Sequence, residues 1–340
     1  MATNHRAVVV GASTLLGKEL IEELNTSETP WDLRLADTGD SSGQLVAGVD
    51  EALVVQPLSP DIFNARDVAF FAAEPETTRT HWREAKAAGD AVVDLTAALE
   101  SEPDAVVRSP WILGSPAPPT NTPVVISAHP AAVMLGIVAS RLATAFGRVH
   151  LAATVLEPAS QQGRRGMDEM HHQTVSLLGF HSLPQEVYDA QVAFNLRIGV
   201  GEAAKVDMGA IASTIRRHLK AAAGESIASS IWLQLVQAPV FHAYTMSVYA
   251  QLPANIDAAA VRRALHGGVV RVTNPHEEAP SNQSMVQEPE IVIALTEESR
   301  TQENLRGFWL WIVADNLKLA ARHAVACAEE LASSRAGKAQ

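Results

Sequence analysis

Val8-Val-Val-Gly-Ala-Ser-Thr-Leu-Leu-Gly-Lys-Glu-Leu20 runs from an apolar β-branched stretch through Gly11 and on, past Gly17, into apolar residues at helical spacing. A strand that turns at glycine into a helix directs backbone N–H groups and the positive helix end to one place, the arrangement that receives a pyrophosphate in Rossmann-type domains. Gly11, Ser13, Thr14 and Gly17 are therefore the candidate cofactor-binding residues. Thr14 stands where a further glycine would let a phosphate approach most closely, so the stretch predicts the fold and leaves dinucleotide binding open. About twenty residues on, Asp37 closes a second apolar run. A carboxylate there can accept the ribose hydroxyls of NAD and repels the 2′-phosphate of NADP, as would Asp40; the alternative is that Asp37 only starts the turn Thr38-Gly39.

Outward from this turn the rhythm is strand, helix, strand. Asp32 to Ala36, Val68 to Phe71 and Ala91 to Asp94 read as strands, and His81 to Ala88 as a helix closed by Gly89. That alternation predicts a doubly wound parallel sheet. Ser115 to Pro123 (S-P-A-P-P-T-N-T-P) reads as a connecting loop. Beyond a helix to about Phe146 the pattern changes. Val149 to Leu156, Ile231 to Val236, Ala243 to Gln251, Ile291 to Leu295 and Phe308 to Val313 are β-like, Gly166 to Leu178 and Ile211 to Ala223 are helical, and Gly267 to Pro289 reads as a long polar loop. Strands grouped with few helices predict a mainly antiparallel α+β domain. The expected fold class is α/β, with residues 1–130 as the dinucleotide-type domain, 131–313 as a second domain, and an Ala-rich helix over 314–335.

The chain has 340 residues, 38 acidic and 26 basic, for a formal charge of -12. That balance opposes binding to nucleic acid or anionic lipid. A single cysteine, Cys327, rules out an internal disulfide framework and reads as a buried, inert thiol. No apolar run approaches bilayer length and no leader pattern is evident, so a cytoplasmic protein without an anchor is expected. Asp168 and His172, one helical turn apart, suit metal ligands, but no third ligand follows from the sequence; a solvated or subunit-contact helix face is the preferred reading, with no metal assigned. Trp232, Trp309 and Trp311 read as packed within the second domain or across a dimer.

The corner Ser127-Ala-His-Pro-Ala-Ala132 ends an apolar run at the start of an apolar helix, a place where many α/β enzymes hold a nucleophile against unpaired N–H groups. Here the residues after the proline are alanines.

Several segments together resemble the aspartate-semialdehyde dehydrogenase family. Besides the glycine turn they are D-V-A-F-F-A-A (67–73), A-G-D-A-V-V-D-L-T-A-A-L (88–99), G-R-R-G-M-D-E-M-H-H-Q-T-V-S-L-L (163–178), Q-V-A-F-N-L (191–196), Q-A-P-V-F (237–241) and W-I-V-A-D-N-L-K-L-A-A (311–321). The resemblance covers about Ala7 to Glu330. It implies a dinucleotide domain, a dimerisation and catalytic domain, a C-terminal helix returning to the first domain, and a homodimer.

It also implies what has changed. The family's corner reads Asn-Pro-Asn-Cys, and its cysteine position is Ala132 here. The acid/base histidine of its Gly-His-Ser segment is matched by Tyr244, His242 falls where a basic residue is usual, and the glutamine before its Ser-Gly-Ala-Gly loop is matched by Glu157. Asp40, Glu74-Pro75 and Glu100 replace a 2′-phosphate-binding basic residue, a Gly-Gly pair and an arginine. Carboxylates facing phosphates oppose binding.

The resemblance thus implies a pseudoenzyme-like member with no phosphorylating dehydrogenase activity and no assigned catalytic residue. NAD is allowed, NADP disfavoured, and mixed dimers with an active paralogue are an alternative assembly. The competing expectation is an NAD-dependent oxidoreductase working without a cysteine, with Glu157, His242 and Tyr244 as an acid/base cluster rather than hydrogen-bonded filling of a vacated pocket.

Overall fold

A computed structural model describes residues 5–39, 43–48, 52–63, 68–117, 122–298 and 304–336. The chain forms two compact units, the first from residues 1–110, 115–129 and 320–340, the second from residues 111–114 and 130–319.

The first unit is built on an eight-stranded sheet. Its strands are β1 (His5–Val10), β2 (Trp31–Asp37), β3 (Leu45–Ala47), β4 (Ala52–Pro57), β5 (Val68–Phe71), β6 (Ala91–Asp94), β7 (Ala105–Arg108) and β8 (Val124–Ser127). Their order is β3-β4-β2-β1-β5-β6-β8-β7, parallel throughout except for the β3/β4 pair. The chain builds outward from β1 in one direction and then restarts at β5 in the other. The switch point of this doubly wound sheet therefore lies beside the glycine turn that follows β1.

Central strands buried on both faces explain the unbroken apolar runs of β1, β5, β6 and β8. Val9, Phe70 and Val93 face one layer with Leu20, Ile21 and Leu24 of α1 (Leu15–Thr26); Val8, Val10 and Phe71 face the other with Trp82 of α2 (Pro75–Ala87). β3, β4 and β7 were not expected from the sequence. They are short, and β4 and β7 are largely exposed or half-buried, so they lack the apolar runs that reveal the inner strands.

In the second unit α3 (Pro130–Phe146), β9 (His150–Glu157), α4 (Gly163–Leu178), α5 (Met208–Ala223), α6 (Glu225–Ala228), β10 (Ile231–Gln237), β11 (Tyr244–Pro253), α7 (Ala258–Leu265), β12 (Val270–Val272), β13 (Ile291–Glu297) and β14 (Leu305–Ala314) follow in order. The sheet order is β10-β9-β11-β14-β13-β12. Its three central pairings are antiparallel, whereas both edge strands, β10 and β12, pair in parallel. The segment expected as one loop over 267–289 contains β12, a strand too short to show alternation. α7, which the sequence reading passed over, is capped by Asp257, whose Oδ1 accepts the Ala260 amide at 2.7 Å.

Leu151, Val155, Met246, Val248, Leu310 and Ile312 bury one face of this sheet. The opposite face carries Trp232, Trp309 and Trp311, which are 61%, 43% and 37% exposed. An open groove of about 430 Å³ crosses it, lined by Thr154, Trp232, Gln234, Ser247, Tyr249 and Trp309 among others.

The final helix, α8 (Asn316–Ala336), contributes its residues from Ala320 onward to the first unit. Ala321, Ala324, Cys327, Ala328 and Leu331 enter the core layer that holds α1. Arg108, buried at the end of β7, donates from Nε and Nη2 to the two carboxylate oxygens of Glu330 at 2.6 and 2.5 Å, and from Nη1 to the Ser109 carbonyl and the Ser115 hydroxyl. Buried His323 has the hydroxyls of Ser127 and Ser109 at 2.8 Å from Nδ1 and 2.9 Å from Nε2. Among the described residues no helix is long and apolar enough to cross a membrane.

Candidate functional site

At the glycine turn, Gly11 takes φ +89°, and a Cβ there would come within 2.6 Å of the Ala73 backbone; a Cβ on Gly17 would meet the Gly11 carbonyl oxygen at 2.0 Å. Both glycines are needed for strand and helix to approach so closely. Thr14 caps α1, its Oγ1 accepting the Gly17 amide at 2.8 Å while its hydroxyl lies 2.9 Å from the carbonyls of Gly11 and Ala72. Thr14 thus also serves the helix end.

Asp37 Oδ2 accepts the Ser13 amide at 2.8 Å and the Ser13 hydroxyl, and Oδ1 accepts the Thr38 amide at 2.8 Å. The donors with which Ser13 could receive a phosphate are taken by the protein's own carboxylate. The amides of Gly11 and Ala12 donate to the Ala36 carbonyl of β2, that of Thr14 to the Gly11 carbonyl and that of Lys18 to the Thr14 carbonyl. Asp37 both begins a turn at Thr38 and retains an acceptor lone pair on Oδ1, so the two sequence readings of it are compatible. Asp40 lies outside the described residues. Glu74 stands at the N-cap of α2, immediately before Pro75, and Glu100 is half-buried.

In the second unit, Ala131 and Ala132 lie fully buried in the first turn of α3. The chain's one cysteine lies in the other unit, where complete burial pushes the Cys327 thiol far above its ordinary range, the Glu330 charge adding to the shift and Arg108 opposing it.

Glu157 closes β9 and is wholly buried. Its Oε1 accepts the Gln162 side-chain amide at 2.8 Å, and its Oε2 is buried with no hydrogen-bond partner. Burial pushes the carboxyl up to about 7, with the Gln162 bond pulling weakly the other way. Tyr244, the first residue of β11, is also fully buried; desolvation and then the Glu157 charge hold its phenol well above the usual range. The structure thus brings Glu157 and Tyr244 together. His242 is half-buried and, among the described residues, bonds to neither. Between them Ala243 adopts φ +69°, its amide donating to Asn316 Oδ1 at 3.1 Å, and Asn316 Oδ1 also accepts the Ser160 hydroxyl at 3.0 Å.

One residue that sequence reasoning missed completes this cluster. The phenol of Tyr188, from the segment between α4 and α5, is buried without a hydrogen-bond partner and raised by desolvation, then by Glu157 and Glu169. It lies against Gly166, where a Cβ would come within 2.8 Å of the phenol oxygen. The available signal was a tyrosine, one of only three in the chain, inside an otherwise aperiodic stretch. Asp168 and His172 lie on α4, where both are exposed; among the described residues no group of three His, Cys, Asp or Glu side chains is placed to hold a metal ion.

A Rossmann-type sheet with its nucleotide turn, followed by a mixed-sheet domain with a buried polar cluster at the end of its first strand, is a two-domain plan of the dinucleotide-fold class. Sequence comparison narrows the class: the semialdehyde dehydrogenase NAD-binding domain matches residues 6–116 and the semialdehyde dehydrogenase dimerisation domain matches residues 140–319. The chain belongs to the semialdehyde dehydrogenase family. It is 32% identical to the USG-1 protein homolog of Pseudomonas aeruginosa over 95% of this chain and 96% of that one. It is 26% identical to the aspartate-semialdehyde dehydrogenase of Rickettsia bellii over 97% and 98%. The structure of a probable aspartate-semialdehyde dehydrogenase from Pseudomonas aeruginosa superposes with a TM-score of 0.83 at 28% identity, covering 97% of this chain and 98% of that one.

Proposed function

We propose that this chain is a family member silent in the phosphorylating dehydrogenase reaction, acting as a cytoplasmic homodimer by binding rather than by conversion. The observation that carries the reading is the missing thiol. Ala132 offers a buried methyl at the corner, and Cys327 is buried in the other unit with its thiol held protonated. A methyl group forms no thioester, and no residue at the corner substitutes for it.

The nucleotide turn fits NAD better than NADP. The N-terminus of α1 faces the turn, Asp37 Oδ1 can accept a ribose hydroxyl, and the same carboxylate already occupies the Ser13 donors that a 2′-phosphate would need. When bound, a nicotinamide supplies a hydride acceptor or donor, and Gly11, Ser13, Thr14, Gly17 and Asp37 would frame it. Calorimetric titration is expected to show micromolar binding of NAD and none of NADP. No heat with either at millimolar concentration would sink the dinucleotide part of the proposal. Phosphate-dependent oxidation of a semialdehyde by the purified protein would sink the silent reading itself.

A second reading keeps an oxidoreductase that works without a covalent intermediate. Glu157 favours it, as a carboxyl that exchanges its proton near neutrality beside two phenols. It too requires NAD to bind, so the same titration bears on it.

For the dimer, the uncovered face of the second sheet is the proposed contact. Exposed tryptophans on a flat strand surface within the family's dimerisation domain are suited to a self-complementary interface. The same face would serve mixed dimers with a cysteine-bearing paralogue. The double substitution Trp232→Glu with Trp309→Glu is expected to give a monomer by light scattering; an unchanged dimer would place the interface elsewhere.

A further inference from the structure

Residues 179–207 join α4 to α5 without a helix or strand of their own; among the described residues their one backbone bridge to the sheet is Arg197–Gln237. α4 holds the segment instead. The Glu169 carboxylate accepts the amides of Val187 at 2.5 Å and Tyr188 at 3.1 Å. The Gln173 side chain accepts from Val192 and Ala193 and donates to the carbonyls of Pro184 and Ala190. Between these anchors the segment inserts one large side chain, Tyr188, into the cluster around Glu157, over a gap kept open by Gly166.

Three oxygens there are buried and unmatched: Glu157 Oε2, the Tyr188 hydroxyl and Gln237 Oε1. Buried polar groups are nearly always paired, and a protonated carboxyl and a phenol can satisfy each other after a small rotation. A charged carboxylate could accept from the same phenols, but it would stand wholly buried with no cation among the causes acting on it, and burying an unpaired charge costs more than such bonds return. The titratable and polar groups facing it are Gln162 from the loop after β9, Tyr244 from β11, Gln237 from β10, Tyr188 from the segment and Glu169 from α4. Gln162 is already bonded to Oε1, Gln237 gives its amide to the Glu157 and Ala238 carbonyls, and Glu169 is a second negative charge. The nearby cations Arg164 and Arg165 are exposed on α4, and His242 is half-buried without a bond to the cluster.

We propose that Glu157 and Tyr188 form a proton-dependent latch: with its proton, the carboxyl holds residues 179–207 against β9 and α4, and without it the segment loosens. The segment carries Phe194, Leu196 and Ile198 exposed at 67%, 62% and 74%, so the latch couples a buried proton to an exposed apolar surface. Nothing in this depends on whether a dinucleotide binds.

Hydrogen exchange over residues 179–207, corrected for the intrinsic pH dependence of exchange, tests it in the full-length protein. Protection is expected to fall by about tenfold between pH 6 and pH 8. In Glu157→Gln it should stay level, and in Tyr188→Phe it should already be reduced at pH 6. Wild-type protection that is constant or rises with pH, as it would if the phenols turned to solvate the carboxylate, overturns the latch. So does an equal fall in Glu157→Gln. Should that variant fail to fold, the carbon-13 titration of the wild-type Glu157 carboxyl decides: a midpoint near 7 supports the latch and one below 5 overturns it.

Discussion

Glu157→Gln is expected to be more stable than the wild type at pH 8 by about 3 kcal/mol, and to lose that advantage below pH 5. The sign follows from proton linkage. The folded carboxyl titrates at about 7 against an ordinary value of 4.5. Between those values the native state binds more protons than the unfolded chain, so wild-type stability is fully present below the unfolded value and is lost as pH rises through about 7. A displacement of that size corresponds to about 3 kcal/mol. The amide keeps the shape, supplies its own N–H donors and does not ionise. Urea unfolding of both proteins across the range measures it; a variant less stable than the wild type at both ends would mean that the carboxylate is solvated in the native state.

The second large effect lies in the first unit. Arg108→Ala should destabilise that unit by about 3 kcal/mol, because it strips the partner from Glu330 and removes the hydrogen bonds to the Ser109 carbonyl and the Ser115 hydroxyl. Glu330 retains some access to water, its side chain being 27% exposed, which keeps the expected cost toward the lower end for a buried pair. The double substitution Arg108→Met with Glu330→Leu should recover most of the loss, since replacing both members by apolar groups leaves no uncompensated charge. A single substitution costing less than about 0.5 kcal/mol, the scale of an ordinary surface change, would show that α8 is held by its apolar side alone.

How far the sequence announces all this depends on the kind of signal each residue gives. Gly11 and Gly17 punctuate a strand-to-helix turn that admits few alternatives, and Val68–Phe71 and Ala91–Asp94 are read to their boundaries because buried parallel strands are unbroken apolar runs. β7 and β12 escape because three or four half-buried residues show no period. The candidate site divides in the same way. Glu157 and Tyr244 are reached through neighbouring segments that resemble a family, and β9 and β11 then pair in the register that brings them together. Tyr188 is not reached, because its place is fixed by Glu169 and Gln173 bonding to backbone amides and carbonyls, which any sequence can present. The carboxylate of Asp37 turned onto Ser13 is equally invisible before folding, since it depends on side-chain rotamers across a turn.

The split composition of the first unit has a consequence for how the protein is made. Ala321, Ala324, Cys327, Ala328 and Leu331 belong to the core layer that covers α1 and the central strands, yet they are translated after the whole of the second unit. While the ribosome produces residues 130–319, roughly ten to forty seconds of work at about 5–20 residues per second, the nascent first unit presents an uncovered apolar layer that nothing in its own emerged sequence can close. Co-translational folding of that unit therefore cannot finish until residues 320–331 have been made. A ribosome stalled just after residue 319 would leave an intact second unit attached to a chaperone client.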